Sequence, residues 1–513
     1  MDSIETKSSS NKRIAKNTLM LYIRMVLIMA VTLYTSRIVL QVLGVEDYGI
    51  YNVVGGVVAL LGFFTSSLSN VTQRYISIGL GKNDSKETEI AFRQSFSLMS
   101  VLAIIFLIVG EIVGLWFIHN KMVIQEDRIF AAVCVYHTSL VILFLSMLQI
   151  PFMGTIISHE RMGIYAYIGL FEALARLAIA FALMMTNDLD KLILYGLLMA
   201  VVSVCTSSFY AVYSLKNFTE CKLQFYWDTS LVKEMARFVG YNLFGCFAWS
   251  AGIQGTNILM NTFFGPTINA ARAISVQVRT VVTRFTENIM TATKPQIIKS
   301  YSANEHSYMM MLIRKSSKYC FFLTAIIAIP IIFELDIILH IWLGHVPDYT
   351  IQFTRLVLCD ALISVFVPPL WIAANATGNI KGIQVYGRLF TLAILPLSYI
   401  ALRICENPMF PLYISITMDI SYWMYSLRDI NKQIGLDTAR YAKEVLKSAL
   451  ILSTVLVAIG FLICYLLPTD SLIRFFTVFV SSCISGIITV YCLLDKEERQ
   501  FVHNILNKIC HKK

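Results

Sequence analysis

Charged residues are scarce in this chain of 513 residues: they make up 14% of the sequence, against 57% hydrophobic residues. Soluble domains carry about 25% charged and about 45–50% apolar residues, so the composition excludes a soluble enzyme, a disordered scaffold and a secreted disulfide framework. The apolar residues form long unbroken runs, whereas a membrane β-barrel shows short alternating segments. The chain is therefore predicted to be an all-α polytopic membrane protein.

The sequence also lacks the motifs of catalytic and energy-coupling centres. It has no G-x-x-x-x-G-K-[ST] phosphate loop and no G-x-S-x-G elbow, and His159-Glu160 lacks the second histidine of a zinc helix. The 11 cysteines form no C-x-x-C pair, which favours small packing groups over metal ligands. We therefore expect no enzyme activity, no cofactor and no metal site. The net charge of +10 is spread between the apolar runs, which argues against a nucleic-acid partner.

Fourteen apolar segments reach the length of a transmembrane helix, which needs about 20 residues. They are residues 17–42, 50–78, 91–115, 129–154, 164–186, 192–215, 236–260, 268–293, 316–335, 351–377, 383–403, 410–428, 448–467 and 473–494. Lys and Arg number 26 in the connecting segments on the side of the N-terminus and three on the other side. By the positive-inside rule, both termini are predicted to be cytoplasmic.

An internal repeat organises these spans. A shift of 221 residues lays Gly44 on Gly265 and the polar stretch 70–84 on 291–305. Because six spans separate the two copies, both begin on the same side of the membrane, which predicts two parallel six-helix bundles plus two extra C-terminal helices. The predicted parts are an N-terminal segment 1–16, an N-lobe 17–215, an inter-lobe linker 216–235, a C-lobe 236–428, a second linker 429–447, spans thirteen and fourteen at 448–494, and a tail 495–513.

Arginines inside the spans are the first candidate site residues. An Arg at a helix centre costs about 2.5–3.5 kcal/mol, so such residues are expected to line a cavity or to pair internally. Arg24 and Arg37 lie on span one, and Arg272 and Arg279 share one face of span eight. Guanidinium groups bind phosphate bidentately, so these four predict an anionic, phosphate-bearing substrate. The alternative for Arg37 and Arg272 is that they reach the outer interface.

Other ionisable residues within or at the ends of the spans are candidates for ion coupling or for ion pairs. They are Glu111, Glu172, Arg176, Glu287, Asp360 and Asp419. Glu172 and Arg176 have the i,i+4 spacing of a helical ion pair. Glu111 has no oppositely charged neighbour in sequence and is either a proton site or a neutral acid. Asp419 and Arg388 have no other charged residue close to them along their spans, which allows pairing across helices.

Three stretches of the sequence are informative together: SRIVLQVLGVEDYGIY at 36–51, PQII at 295–298 and AANATG at 373–378. They resemble the corresponding stretches of Wzx-type polysaccharide flippases of the multidrug, oligosaccharidyl-lipid and polysaccharide exporter superfamily. The resemblance implies two six-helix bundles around a central cavity that opens alternately to either side of the bacterial inner membrane. It also implies translocation of undecaprenyl-diphosphate-linked oligosaccharides for O-antigen or capsule, with no catalytic chemistry.

The same resemblance implies site residues and partners. Arg24, Arg37, Arg272 and Arg279 match by location the cationic cavity of the flippases, where the diphosphate and glycan bind. Membrane lipids, Na⁺ or H⁺ as a coupling ion, and a polysaccharide polymerase with its chain-length machinery are the implied partners.

Two alternatives have different functions. A cation-coupled multidrug antiporter of the same superfamily is expected to carry an acidic residue in span one, yet residues 17–43 contain neither Asp nor Glu. A non-transporting membrane scaffold has little reason to retain so many costly intramembrane arginines.

The charge distribution predicts topology directly. Alkaline phosphatase fused after Lys222 or Lys513 should be inactive, because both positions are predicted to be cytoplasmic. A fusion after Lys191, in a predicted outer loop, is the active control. Phosphatase activity after Lys222 would contradict the assigned orientation.

Overall fold

The computed structural model describes residues 2–121, 126–186, 189–264, 266–343, 346–467, 472–495 and 498–500. Every regular element within these ranges is helical. The helices are α1 (Asp2–Gly81), α2 (Ser85–Lys121), α3 (Ile129–Leu148), α4 (Ile150–Ser158), α5 (Met162–Met184), α6 (Lys191–Asn217), α7 (Thr229–Phe264), α8 (Pro266–Ser302), α9 (His306–Phe333), α10 (Leu335–Leu343), α11 (Thr350–Ser364), α12 (Val367–Thr377), α13 (Arg388–Ile404), α14 (Phe410–Ile434), α15 (Thr438–Tyr441), α16 (Lys447–Leu466) and α17 (Leu472–Leu493). Two π-helical segments, Gly382–Gly387 and Ala442–Leu446, lead into α13 and α16.

The predicted spans can be compared with these helices one by one. All fourteen fall largely on helix, and 10 helical stretches in the described ranges are long and apolar enough to cross a membrane. The predictions of an all-helical, multi-pass fold are therefore confirmed, while the count of fourteen spans stays a prediction. Segments 50–78, 236–260, 268–293 and 410–428 are helical without being among the 10.

At Gly44 the structure has a helix kink where the sequence predicted an outer loop. The sequence suggested a loop between the first two spans, but α1 runs through this region and is interrupted only at Gly44, where φ is 78° and ψ is 171°. Glycine adopts a positive φ without the clash that a Cβ would cause. One residue therefore separates the two helical halves of α1.

The repeat found in the sequence recurs in the backbone. Helices α2 and α9 begin 221 residues apart, as do α3 and α11. The turns before α2 and α9 also share a left-handed residue, Asn83 with φ 53° and Asn304 with φ 59°. Asparagine is among the residues that tolerate this conformation. The two copies thus share helix boundaries and turn geometry although few residues are identical.

Two compact units make up the chain. The first comprises Met1–Cys246 and Thr291–Glu305, and the second comprises Phe247–Met290 and His306–Lys513. Both α7 and α8 therefore contribute to each unit, and α8 contains a proline, Pro295, close to the point where it changes unit. The predicted lobe boundaries at 17–215 and 236–428 stay predictions.

An ion-pair network connects three helices of the first unit. Arg128 donates from Nε to Asp47 Oδ1 at 2.9 Å and from Nη1 to Asp190 Oδ2 at 2.6 Å. Asp190 in turn caps α6 by accepting the backbone N–H groups of Leu192 and Ile193. Asp47 follows the Gly44 kink, so the network links α1 to the starts of α3 and α6.

A buried ion pair attaches the last helices to the second unit. Arg474 at the start of α17 donates from Nε and Nη2 to the two carboxylate oxygens of Glu334, at 3.0 and 3.1 Å. The side chains are 6% and 0% exposed. Helix α16 packs closely on α9, since a Cβ on Gly460 would lie 2.4 Å from the Phe333 ring. Spans thirteen and fourteen are therefore part of the second unit.

Replacing one partner of this pair should destabilise the protein strongly. Arg474→Ala leaves the Glu334 carboxylate buried without its cation, which typically costs about 3–5 kcal/mol. The measurement is the fraction of monodisperse protein on size exclusion after heating in detergent. Arg440→Ala, which removes a pair with 60% and 39% exposed side chains, is the control and should change stability by less than about 1 kcal/mol. Equal losses in both variants would contradict the structural role.

Candidate functional site

A polar cluster lies among four helices of the second unit. Arg279 on α8 forms an ion pair with Asp360 on α11, with Nη2 and Oδ2 2.8 Å apart. The same Nη2 donates to Ser364 Oγ at 2.9 Å. Asp360 is almost fully buried, whereas the Arg279 side chain is 25% exposed. Among the described residues, Arg279 Nε and Asp360 Oδ1 have no hydrogen-bond partner, so the pair retains one free donor and one free acceptor.

A second acid and a second guanidinium extend this cluster. Asp419 on α14 interacts electrostatically with Asp360, Arg279 and Arg388. The guanidinium carbon of Arg388, the first residue of α13, lies 4.8 Å from the centroid of the Tyr422 ring, a cation–π contact. Two carboxylates and two guanidinium groups therefore meet where α8, α11, α13 and α14 pack together.

Arg272 lies two turns before Arg279 on α8 and is held by α7. It is 7% exposed, and its Nε donates to Asn257 Oδ1 at 2.6 Å. Its guanidinium is bound on one edge by an amide oxygen, and no carboxylate is recorded in direct contact with it among the described residues.

The side chain of Arg24 packs closely against α5 in the first unit. Its guanidinium carbon lies 4.2 Å from the centroid of the Tyr165 ring on α5. A Cβ built on Gly169, one turn further along α5, would lie 2.6 Å from Arg24 Nε, so only glycine leaves room for the side chain. Arg24 Nε is buried without a hydrogen-bond partner in the described part of the chain. Arg37, on the same helix, is exposed.

The remaining candidates are dispersed. Glu172 accepts a hydrogen bond from Arg176 one turn along α5, and Glu111 Oε1 lies 2.9 Å from His137 Nδ1. Glu287 is exposed on α8. The structure thus brings Arg279, Asp360 and Asp419 together and leaves the others in separate surroundings.

Sequence reasoning missed the pairing of Arg279 with Asp360. Arg355 precedes Asp360 on the same predicted span, but it contacts Asp336 instead, at 3.4 Å. Pairing across helices depends on packing, and no spacing rule along the chain reveals it. Asp336 lies in α10, a short helix in the segment that the sequence predicted to connect spans nine and ten.

Glu160 is a second missed residue. Its side chain is fully buried and accepts Lys299 Nζ at 2.9 Å and Gln296 Nε2 at 2.7 Å. Asn17 Nδ2 donates to the Glu160 carbonyl at 3.0 Å. The α4–α5 turn therefore binds both the start of the first span and the end of α8. The sequence signal was the polar stretch 291–305, which the repeat had already singled out.

The Arg279–Asp360 pair should show strong coupling in a double-mutant cycle. Arg279→Ala leaves Asp360 buried and unpaired and should cost about 3 kcal/mol, whereas Arg279→Ala/Asp360→Ala should recover much of that loss. The measurement is the unfolding midpoint of each purified variant in detergent. Arg355→Ala, whose pair is about half exposed, is the matched control. Additive losses in the double variant would show that the two side chains are not coupled.

No protein-family model matches the sequence, and no curated protein sequence matches it. Solved structures do match. A MATE structure in the bent conformation aligns with a TM-score of 0.72 at 13% identity, covering 84% of this chain and 97% of that chain. An outward-facing multidrug resistance MATE family transporter of the MOP superfamily aligns with a TM-score of 0.68 at 14% identity, covering 83% and 96%.

A third similar structure is a MOP superfamily transporter from Pyrococcus furiosus, described as having a binding pocket of reverse polarity that suggests a different function. It aligns with a TM-score of 0.68 at 13% identity, covering 82% of this chain and 96% of that chain. At these identities the likeness is one of fold. The chain is an all-helical, multi-pass membrane protein with the fold of the MATE transporters.

Proposed function

We propose that the chain is an alternating-access transporter of the MOP superfamily that flips undecaprenyl-diphosphate-linked oligosaccharides across the membrane. The MATE-like fold supports the transporter class. The observation that carries the choice of an anionic cargo is the setting of Arg24. It is a cation whose Nε is buried without a hydrogen-bond partner among the described residues, on a span that has no acidic residue between 17 and 43.

The surroundings of Arg24 suit a diphosphate. Gly169 and the face of Tyr165 hold the guanidinium in place, so little side-chain freedom is lost when a ligand binds. A diphosphate offers several oxygens to the unused Nε–H and its neighbours, and such charge-assisted bonds are about twice as strong as neutral ones. Arg37 lies about 20 Å further along α1 and supplies a second cation on the proposed path.

The second unit supplies the proposed coupling. Asp360 and Asp419 are adjacent carboxylates, and two close carboxylates resist carrying two negative charges. A proton or Na⁺ bound between them would weaken the hold of Asp360 on Arg279. That release would leave Arg279, near Arg272, available to an anionic headgroup.

The runner-up is a cation-coupled multidrug antiporter. The same Asp360 and Asp419 pair supports it, since carboxylates also bind cationic drugs and coupling ions. The fold supports it equally, because one similar structure is a multidrug resistance MATE transporter. The Pyrococcus furiosus transporter, with its pocket of reverse polarity, illustrates that this fold carries pockets of different charge. A non-transporting scaffold has no observation in its favour.

The rest of the proposal follows from the cargo. The protein would reside in the bacterial inner membrane with both termini cytoplasmic, in contact with membrane lipids. A polysaccharide polymerase and chain-length machinery would take up the flipped oligosaccharide.

The test is export in a strain that lacks its own flippase. Arg24→Ala should abolish most of the surface glycan, measured relative to the amount of membrane-inserted protein, because the diphosphate loses the guanidinium that binds it. Arg24→Lys should retain part of it, since lysine keeps the charge but loses the planar fork. Lys86→Ala, at an exposed position, is the control.

Two outcomes would count against the flippase. Normal surface glycan in Arg24→Ala would show that Arg24 is not needed to bind the anionic cargo. Resistance to cationic drugs that depends on Asp360, with no glycan export, would establish the antiporter instead.

A further inference from the structure

The segment that joins α6 to α7 is bound along the first turns of α2. We call residues 222–228 the connector. The backbone N–H of Tyr226 donates to Ser97 Oγ at 2.9 Å, and the backbone N–H of Asp228 donates to Gln94 Oε1 at 2.8 Å. The connector therefore has a defined position on the first unit rather than an arbitrary path between helices.

Side-chain contacts secure the same position. Lys222 Nζ lies 2.6 Å from Glu89 Oε2, and the pKa of Glu89 is lowered, mainly by the hydrogen bond from Lys222. The guanidinium carbon of Arg93 lies 5.4 Å from the centroid of the Tyr226 ring. Tyr226 is thus the connector residue that turns towards α2.

The residues on either side of Tyr226 form an exposed apolar surface. Leu223, Phe225 and Trp227 are 54%, 67% and 43% exposed, and in an extended chain alternate residues point the same way. The rings of Phe225 and Trp227 are stacked, with centroids 6.0 Å apart and an angle of 2° between their planes. Large aromatic side chains rarely remain in water in such a cluster.

The contact with Ser97 sets the depth of this surface. Residues 86–93 of α2 include four charged side chains, whereas 98–110 contain none. Ser97 therefore lies where α2 enters the apolar layer of the membrane, and the connector beside it lies at the boundary between headgroups and acyl chains. Trp and Tyr are enriched at that level because their rings have both apolar and polar parts.

Exposed residues shortly before the connector in sequence are also apolar or basic. Val212 and Leu215, on the last turns of α6, are also exposed apolar residues. Lys216, which follows them, is exposed. Basic residues at this level attract anionic lipid headgroups, so the combination of charge and apolar surface fits a bilayer better than a second protein.

We propose that Leu223, Phe225 and Trp227 insert into the lipid leaflet on the connector side, which the charge distribution predicts to be the cytoplasmic leaflet. The connector then binds α2 through one face and lipid through the other. The inference requires only that the chain spans a bilayer, so it stands or falls independently of the cargo.

Tryptophan quenching tests this insertion on the full-length protein. The sequence has 6 Trp, so the signal of Trp227 is the difference between the unmodified protein and Trp227→Phe, each reconstituted in phosphatidylcholine–phosphatidylglycerol vesicles. Lipids brominated near the glycerol end of the acyl chain should remove most of that difference signal. Aqueous iodide should remove little of it.

A matched control places the probe outside the proposed surface. Thr219→Trp in the Trp227→Phe protein adds a tryptophan at an exposed position before the connector, and iodide rather than brominated lipid should quench it. Quenching of Trp227 by iodide alone would show that the surface faces water and would overturn the proposal. Quenching by neither reagent would show that protein covers it, which overturns the proposal equally.

Discussion

Burial of charge away from water is the constraint on which much of this structure depends. An isolated ion in an apolar interior is too costly to retain, so each buried ionic group needs a partner. Arg474 meets this condition with the bidentate carboxylate of Glu334, and Arg279 meets it with Asp360. Arg24, whose Nε is buried, contacts an aromatic face instead of a carboxylate. That difference is the reason for proposing Arg24, and not Arg474, as a ligand-binding group.

Much of the helical architecture was predictable because lipid imposes it. A backbone in hydrocarbon has to satisfy its own hydrogen bonds, so a long apolar run such as 448–467 indicates a helix without knowledge of its neighbours. The repeat was visible for a related reason: polar exits such as 70–84 and 291–305 interrupt the apolar pattern at equal spacing. The kink and the short helix were not predictable: after spans one and nine the sequence predicted loops, where the structure has a one-residue kink at Gly44 and the helix α10.

The sequence identified the candidate site residues by their type, but it did not identify which residues pair with each other. Cost alone identifies Arg24, Arg272 and Arg279 as residues that need a reason to be in a span. Which acid neutralises which arginine depends on how helices distant in sequence pack. Helices can pack in the same arrangement with very different side chains, which is consistent with a shared fold at 13–14% identity.

The division of α8 between the two units places a proline close to a covalent link between them. Residues up to Met290 belong to the second unit and Thr291–Glu305 to the first, so one continuous helix carries residues of both. Pro295 has no N–H to donate to the carbonyl four residues earlier, which is that of Thr291. Helices bend most readily where a proline removes such a hydrogen bond, and in α8 this place lies within a few residues of the change of unit. Beyond it, Gln296 and Lys299 bind the last turns of α8 to Glu160.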